Sequence, residues 1–289
     1  MHFFRRLPLV ERLAALAGLI AGFAALAGFV PGFYRDTHTL IAQSNGQDAA
    51  TIVFCLPLLA AGLIASSRGS TRGRIVVLGA LMYLLYTYAV YAFVGLLGPA
   101  TILQIAIVGL AAWAFALTLA SPGALVEDAD AAIGATLARR TTAVFMLIVA
   151  ALFAVAWLGQ IEGAVTSGVR PQSLIDAGWP TSPIYTLDLA FVLPLMTVTG
   201  WLLIRRRRGA AALAGPLLVF TPILCLGVLA MSVFAAFDHQ PFDAAMATIF
   251  VVVAVAGEAL AARALLPITA RRPAAPQAPH RLNTHQATH

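Results

Sequence analysis

Eight stretches of this chain are long and apolar enough to cross a bilayer: 13 to 31, 50 to 66, 75 to 97, 101 to 120, 141 to 160, 183 to 204, 210 to 237 and 244 to 266. Crossing about 30 Å of hydrocarbon takes about 20 helical residues, and hydrocarbon offers no partner to an unpaired backbone group. Runs of this kind can therefore fold in only one way, as helices packed side by side. The expected fold is all-α, a polytopic transmembrane helix bundle of eight spans over residues 1–267. Only 10% of residues are charged, where a soluble domain carries roughly 25%. A lipid bilayer is the expected surrounding. The first span follows Arg5 and Arg6, and Ala25-Leu26-Ala27 resembles a cleavage site, but the apolar run outlasts a signal peptide core of roughly 7 to 15 residues and reads as a retained helix.

Arginine placement sets the orientation. All 18 basic residues are arginine, and with eight spans sixteen of them fall on one face: Arg5, Arg6, Arg12, Arg68, Arg72, Arg74, Arg139, Arg140, Arg205 to Arg208, Arg263, Arg271, Arg272 and Arg281. Only Arg35 and Arg170 fall on the other. The positive-inside rule then gives N-in and C-in. The same rule accounts for the net charge of +6 without a nucleic-acid partner. The tail at 268–289, polar and Pro-rich, is expected to be disordered in the cytoplasm. A retinal Schiff base is excluded, because the chain has no lysine. The richness in Arg, Ala and Gly points to a bacterial genome, and so to a bacterial plasma membrane. Asp36, Asp48, Glu162, Asp176, Asp238 and Asp243 give the outer face an acidic character, with Asp48 and Asp243 read as N-caps of the second and eighth spans.

The two halves of the chain share a plan. Each has a long outer loop, an Arg-rich inner loop and a short outer turn, and "LPLL" at 56 to 59 matches "LPLM" at 193 to 196. In both, an arginine follows the proline by eleven positions, Arg68 after Pro57 and Arg205 after Pro194, and the glycine pairs Gly73/Gly79 and Gly209/Gly215 keep one six-residue step. Two parallel four-helix halves are one explanation, and shared topology is the other. Pro57 and Pro194 are expected to kink the second and sixth spans, each by freeing a carbonyl one turn earlier.

Polar residues within spans mark where function could sit. Ser182 and Pro183 start the sixth span as N-cap and first helical residue, and Asp188 follows about 8 Å deeper. A carboxylate there must be paired, hydrated or protonated. In the third span Tyr83, Thr87 and Tyr91 recur at i, i+4 and i+8 and share a face, with Tyr88 beside it and Tyr86 turned away. That stripe is the expected partner of Asp188, with Gln104 of the fourth span at the same level. Glu258 lies deeper in the eighth span, on a face with Ala254, Gly257, Ala261 and Ala262, and is expected to point into the bundle, as an ion-pair partner of Arg206 to Arg208 or as a proton or cation relay. Cys55 and Cys225 read as structural thiols; His38 and His239 read as hydrated turn residues.

The stretches "GQDAAT" at 46 to 51, "SRGSTRGR" at 67 to 74, "LYTYAVYAF" at 85 to 93 and "SPIYTLDLAFVLP" at 182 to 194 resemble a group of uncharacterised bacterial eight-span integral membrane proteins. The resemblance implies topology and no activity. No HExxH, GxSxG, P-loop or Cys-based metal spacing is present, so no catalytic residue, metal or cofactor is expected. The leading expectation is a permease for a small solute or cation, with Asp188, Tyr83, Thr87, Tyr91 and Gln104 as an outer-leaflet site and Glu258 as an inner relay. A membrane sensor, scaffold or assembly subunit is the alternative, followed by a lipid-directed enzyme using outer carboxylates and His38 or His239.

Overall fold

The computed structural model describes residues 8–120, 126–127, 129–130, 139–240 and 242–265. The polar tail at 268–289 and Arg5, Arg6, Arg271, Arg272 and Arg281 lie outside them. Eight helices are long and apolar enough to cross a membrane, and among the described residues there is no strand. They are α1 (Leu9–Gly28), α2 (His38–Ser67), α3 (Thr71–Val94), α4 (Pro99–Thr118), α5 (Arg139–Ser167), α6 (Pro183–Ile204), α7 (Ala210–Phe237) and α8 (Ala244–Leu265). The chain is a multi-pass, all-α membrane protein.

Helix α2 begins a dozen residues before its expected start. Thr37, not Asp48, is its N-cap, the hydroxyl accepting from Leu40 N at 3.3 Å. Asp48 is instead buried within the helix, accepting a 2.7 Å hydrogen bond from Tyr34 Oη. The run "HTLIAQSNGQDAA" is too polar to announce a span, yet it forms helix because one face of it packs: Leu40, Ser44, Gln47 and Asp48 are all buried. The expected cap of α8 is present, Asp243 accepting from Met246 N at 2.9 Å.

Helices α2 and α6 each contain one π-helical turn, Thr51–Cys55 and Asp188–Val192. Each turn stands two residues before its proline, and each closes with an i→i−5 bond, Leu56 N to Thr51 O and Leu193 N to Asp188 O. Proline has no N–H and its ring crowds the carbonyl four residues back. Widening the turn moves that carbonyl aside and relieves the clash. The two helices thus break at equivalent places, and the paired motifs carry a repeated structure.

The glycine pairs mark where α3 and α7 pack closely. A Cβ at Gly79 of α3 would stand 2.5 Å from Val219 Cβ of α7, and one at Gly215 of α7 would stand 2.8 Å from Ile75 Cγ2 of α3. Each glycine therefore lets α3 and α7 approach each other closely. Helix α3 is the centre of the bundle, with 83% of its apolar window buried. At the Arg-rich end, Asp130 ties the connection between the halves to the start of α7, accepting from Gly209 N and, at 3.1 Å, from Ala211 N.

At the opposite, arginine-poor end the loops are pinned by carboxylates. Asp36 accepts from Leu96 N at 2.6 Å, and His38 Nδ1 lies 2.6 Å from Asp238 Oδ2. Burial pushes the Asp36 carboxyl above the usual carboxylate range, with the Leu96 bond working against it. Hydrogen bonds from Gln240 first, and from His38, hold the exposed Asp238 below that range. The signs oppose: Asp238 contributes near neutrality and its contribution is lost as pH falls through its lowered value. Asp36 contributes below about pH 4, and its contribution is lost as pH rises through its raised value. Asp36→Asn keeps the acceptor and removes the titration. Its melting temperature should equal that of the wild type at pH 3 and exceed it by pH 7; parallel curves across that range would show that Asp36 is solvated.

Candidate functional site

Ser182 occupies the N-cap position of α6 without a capping bond from its hydroxyl, and Pro183 fixes the first turn. The π-turn that follows starts on Asp188 itself. Asp188 is only 7% exposed, and both its oxygens are engaged: Tyr86 Oη donates to Oδ1 at 2.9 Å and Trp157 Nε1 donates to Oδ2 at 2.7 Å. Three helices, α3, α5 and α6, thus meet at one carboxylate.

The partner is not the stripe expected from helical periodicity. Tyr86, the tyrosine on the other face of α3, holds Asp188, while Tyr83 and Thr87 bind Gln47 of α2 and Thr51 lies 3.1 Å from the Tyr83 hydroxyl. Both faces of α3 carry polar clusters because helices pack on both. Spacing showed that Tyr83, Thr87 and Tyr91 share a face, which they do, but could not say which neighbour that face meets. Trp157 gave no sequence signal beyond its place in the outer part of its span.

Asp188 lies in a cavity of about 710 Å³ between α3, α5, α6, α7 and α8, with Thr39, Gln43 and Gln47 of α2 also lining it. Its mouth is at the arginine-poor end, where the exposed Asp176 and Asp243 stand with Gln172 and Gln240; its depth reaches Met196 and Thr221. Trp179, on the strand of chain leading into α6, roofs part of it, held by Arg170 Nη1 donating to its carbonyl at 2.8 Å and by packing on Leu40 and Val90. The short helix Gln172–Ala177 brings Asp176 to the rim. Thr87 and Tyr91 line the wall, and Tyr91 Oη reaches Met231 Sδ at 4.0 Å.

Two helix seams that the paired motifs relate differ in how closely their helices approach. Where α2 meets α7, Gly46 lies against the backbone of Ala230 and Met231, and Gly227 against the Gln47 amide, so the seam is shut. The α2 and α6 motifs are offset by 137 residues (57 to 194) and the α3 and α7 glycines by 136 (79 to 215), so that Gly46 corresponds to Pro183 and Gly227 to Tyr91. At the equivalent seam between α3 and α6, a proline and a tyrosine thus stand where glycines allow close approach in the other. That seam stays apart, and the cavity fills it.

Three expected site residues do not line the cavity: Tyr83, whose hydroxyl meets Gln47 and Thr51, and Gln104 and Glu258. Gln104 is buried on α4, which packs on α1 and α3, away from the cavity. Glu258 is exposed on α8, whereas Gly257, one residue earlier, is buried against Pro222 and Phe145. One residue is 100° of helix, so the small-residue face packs inward and the glutamate turns outward, which corrects the expected inward orientation. His38 and His239 do not converge on a metal site; among the described residues no group of three or more His, Cys, Asp or Glu could hold one.

Fold and site together define a multi-pass membrane protein of eight spans, with matching π-turns in α2 and α6 and a cavity around one buried carboxylate. No family model matches the chain, and no curated protein or solved structure is significantly similar to it.

Proposed function

We propose that this protein is a permease for a small solute or cation in a bacterial plasma membrane, with the cavity around Asp188 as its binding site in an outward-facing state. The observation that carries the reading is the placement of a buried, fully hydrogen-bonded carboxylate inside a 710 Å³ cavity that begins at the arginine-poor end. Ionisable groups within membrane spans are costly and mark solute or proton pathways when they face a cavity. The two-halved architecture supports it as well, since repeats with one open and one closed seam give a bundle two ways to pack.

In proteoliposomes, Asp188→Asn should lower solute-coupled proton flux at least about a hundredfold while the purified protein remains monodisperse; wild-type flux in the variant would refute the reading. Glu258 favours a second reading. Its exposed position on α8, beside Val255 and Ala262, is one that a partner helix would cover, as in a scaffold or assembly subunit. A partner that co-purifies with the wild type and is lost in Glu258→Leu would support that alternative. The lipid-enzyme reading has less behind it: the His38–Asp238 pair lines a separate hollow of about 330 Å³ with no Ser or Cys among its lining residues.

A further inference from the structure

The walls of the cavity say more about its occupant than its volume does. Around Asp188 the rings form two connected groups. Phe250 stands 5.5 Å from Phe153, Phe153 stands 5.9 Å from Trp157, and Trp157 stands 5.4 Å from Tyr185; on the other side Tyr86 stands 5.8 Å from Phe220. The carboxylate is held between Trp157 and Tyr86, one from each group. Deeper, the lining is mainly aliphatic or thioether, with Val149, Val192 and Met196, and Thr221 among them. Three carboxylates line the space, Asp188, Asp176 and Asp243, and among the described lining residues there is no arginine or histidine.

Each feature removes a class of solute. An anion would meet three acidic groups with no countercharge. A bare metal ion needs a shell of oxygen ligands, yet here a single carboxylate has both oxygens occupied by hydrogen-bond donors, and the walls around it are rings and methyl groups. A sugar-like solute would need free polar partners along its length, whereas the inner polar side chains are already engaged, Gln47 with Tyr83 and Thr87 and the Thr221 hydroxyl with Leu217 O. What remains is a molecule with a positive centre and an apolar body. Aromatic faces attract such a centre electrostatically, by up to about 2 kcal/mol once water is excluded, and the volume falls within the roughly 300–1,000 Å³ of sites for drug-sized ligands.

We infer that the cavity binds amphipathic organic monocations, the charge seated at Asp188 among Tyr86, Trp157 and Phe153 and the apolar body reaching toward Met196 and Phe220. The inference deepens the permease reading and rests on that reading's claim that the cavity takes solute. Asp176 and Asp243 at the rim concentrate cations before entry, an effect that salt screens.

The test uses two probes of nearly the same shape and opposite charge, tetraphenylphosphonium and tetraphenylborate, on the full-length protein in nanodiscs, with protein-free nanodiscs as background. Tetraphenylphosphonium should bind saturably above background, at least about tenfold tighter than tetraphenylborate, and Asp188→Asn should weaken it at least about tenfold. Background-level phosphonium binding, or equal binding of both ions, overturns the inference, and the wild-type comparison decides this even if the variant does not fold. Flux separates the two levels: Asp188-dependent proton flux without phosphonium binding would retain the permease and reject the cation class. Phosphonium binding without any transport would retain the site and reject the permease.

Discussion

Gly46→Leu is expected to cost about 3 kcal/mol or more of stability, enough to abolish a monodisperse bundle. A Cβ at residue 46 would lie 2.5 Å from Ala230 O and 2.6 Å from Met231 Cα, both backbone atoms of α7. Backbone cannot rotate out of the way, so the helices must separate along the whole α2–α7 seam. Overpacking typically costs about 1–3 kcal/mol where side chains can adjust; here they cannot. Gly227→Ala probes the same seam from the other side, but the atom it meets first is the Gln47 amide nitrogen at 2.8 Å, the end of a flexible side chain. That variant should fold and be milder. Gly109→Leu on α4, with nothing within 4 Å of its Cβ position, serves as the control. Thermal unfolding in detergent should rank them Gly46→Leu far below Gly227→Ala, with Gly109→Leu near the wild type; a Gly46→Leu protein that melts with the wild type would show that the seam is loose.

Tyr86→Phe and Trp157→Phe should each cost about 1.5–3 kcal/mol, the range for a lost hydrogen bond to a charged group. Tyr86→Phe keeps its ring and its packing against Phe220, so its loss isolates the donor; Trp157→Phe also shortens the ring that packs on Tyr185, so a double-mutant cycle is needed to separate its donor from its packing. Water entering from the mouth recovers part of each loss, which sets the lower end. Made in an Asp188→Asn background, the same substitutions should cost clearly less, because the charge that made the bonds strong is gone. A double-mutant cycle by thermal unfolding measures the difference. Additive losses would mean that the carboxylate does not depend on the two donors, and that the cavity is too wet for its geometry to matter.

How much of this was legible in the sequence varies with the kind of constraint. The spans were legible because hydrocarbon demands length and apolarity whatever the neighbours are. Asp188 was legible for the same reason, as a charge where none is tolerated free. Its partner was not, because the central helix α3 buries nearly every face and periodicity then fails to separate inside from outside. The same limit displaced Glu258, since a small-residue face shows where helices approach closely but not on which side of it an adjacent residue falls. Asp48 was misplaced because a polar run ahead of an apolar one reads as loop; its helix is stabilised by packing along α7 and α1, which no local pattern reveals.

The sequence by itself determined that the chain is a bundle of eight membrane-spanning helices, the orientation that its arginines favour, and the two proline motifs that break α2 and α6 at matching places. These follow from local chemistry: the cost of burying backbone and charge in lipid, and the missing N–H of proline. Only the tertiary structure decided that one seam between the halves is closed by Gly46 and Gly227 while the other stays open around Asp188, Tyr86 and Trp157. Which helix faces meet, and how closely, is set by shape across distant segments, and that is where the two halves of this protein differ.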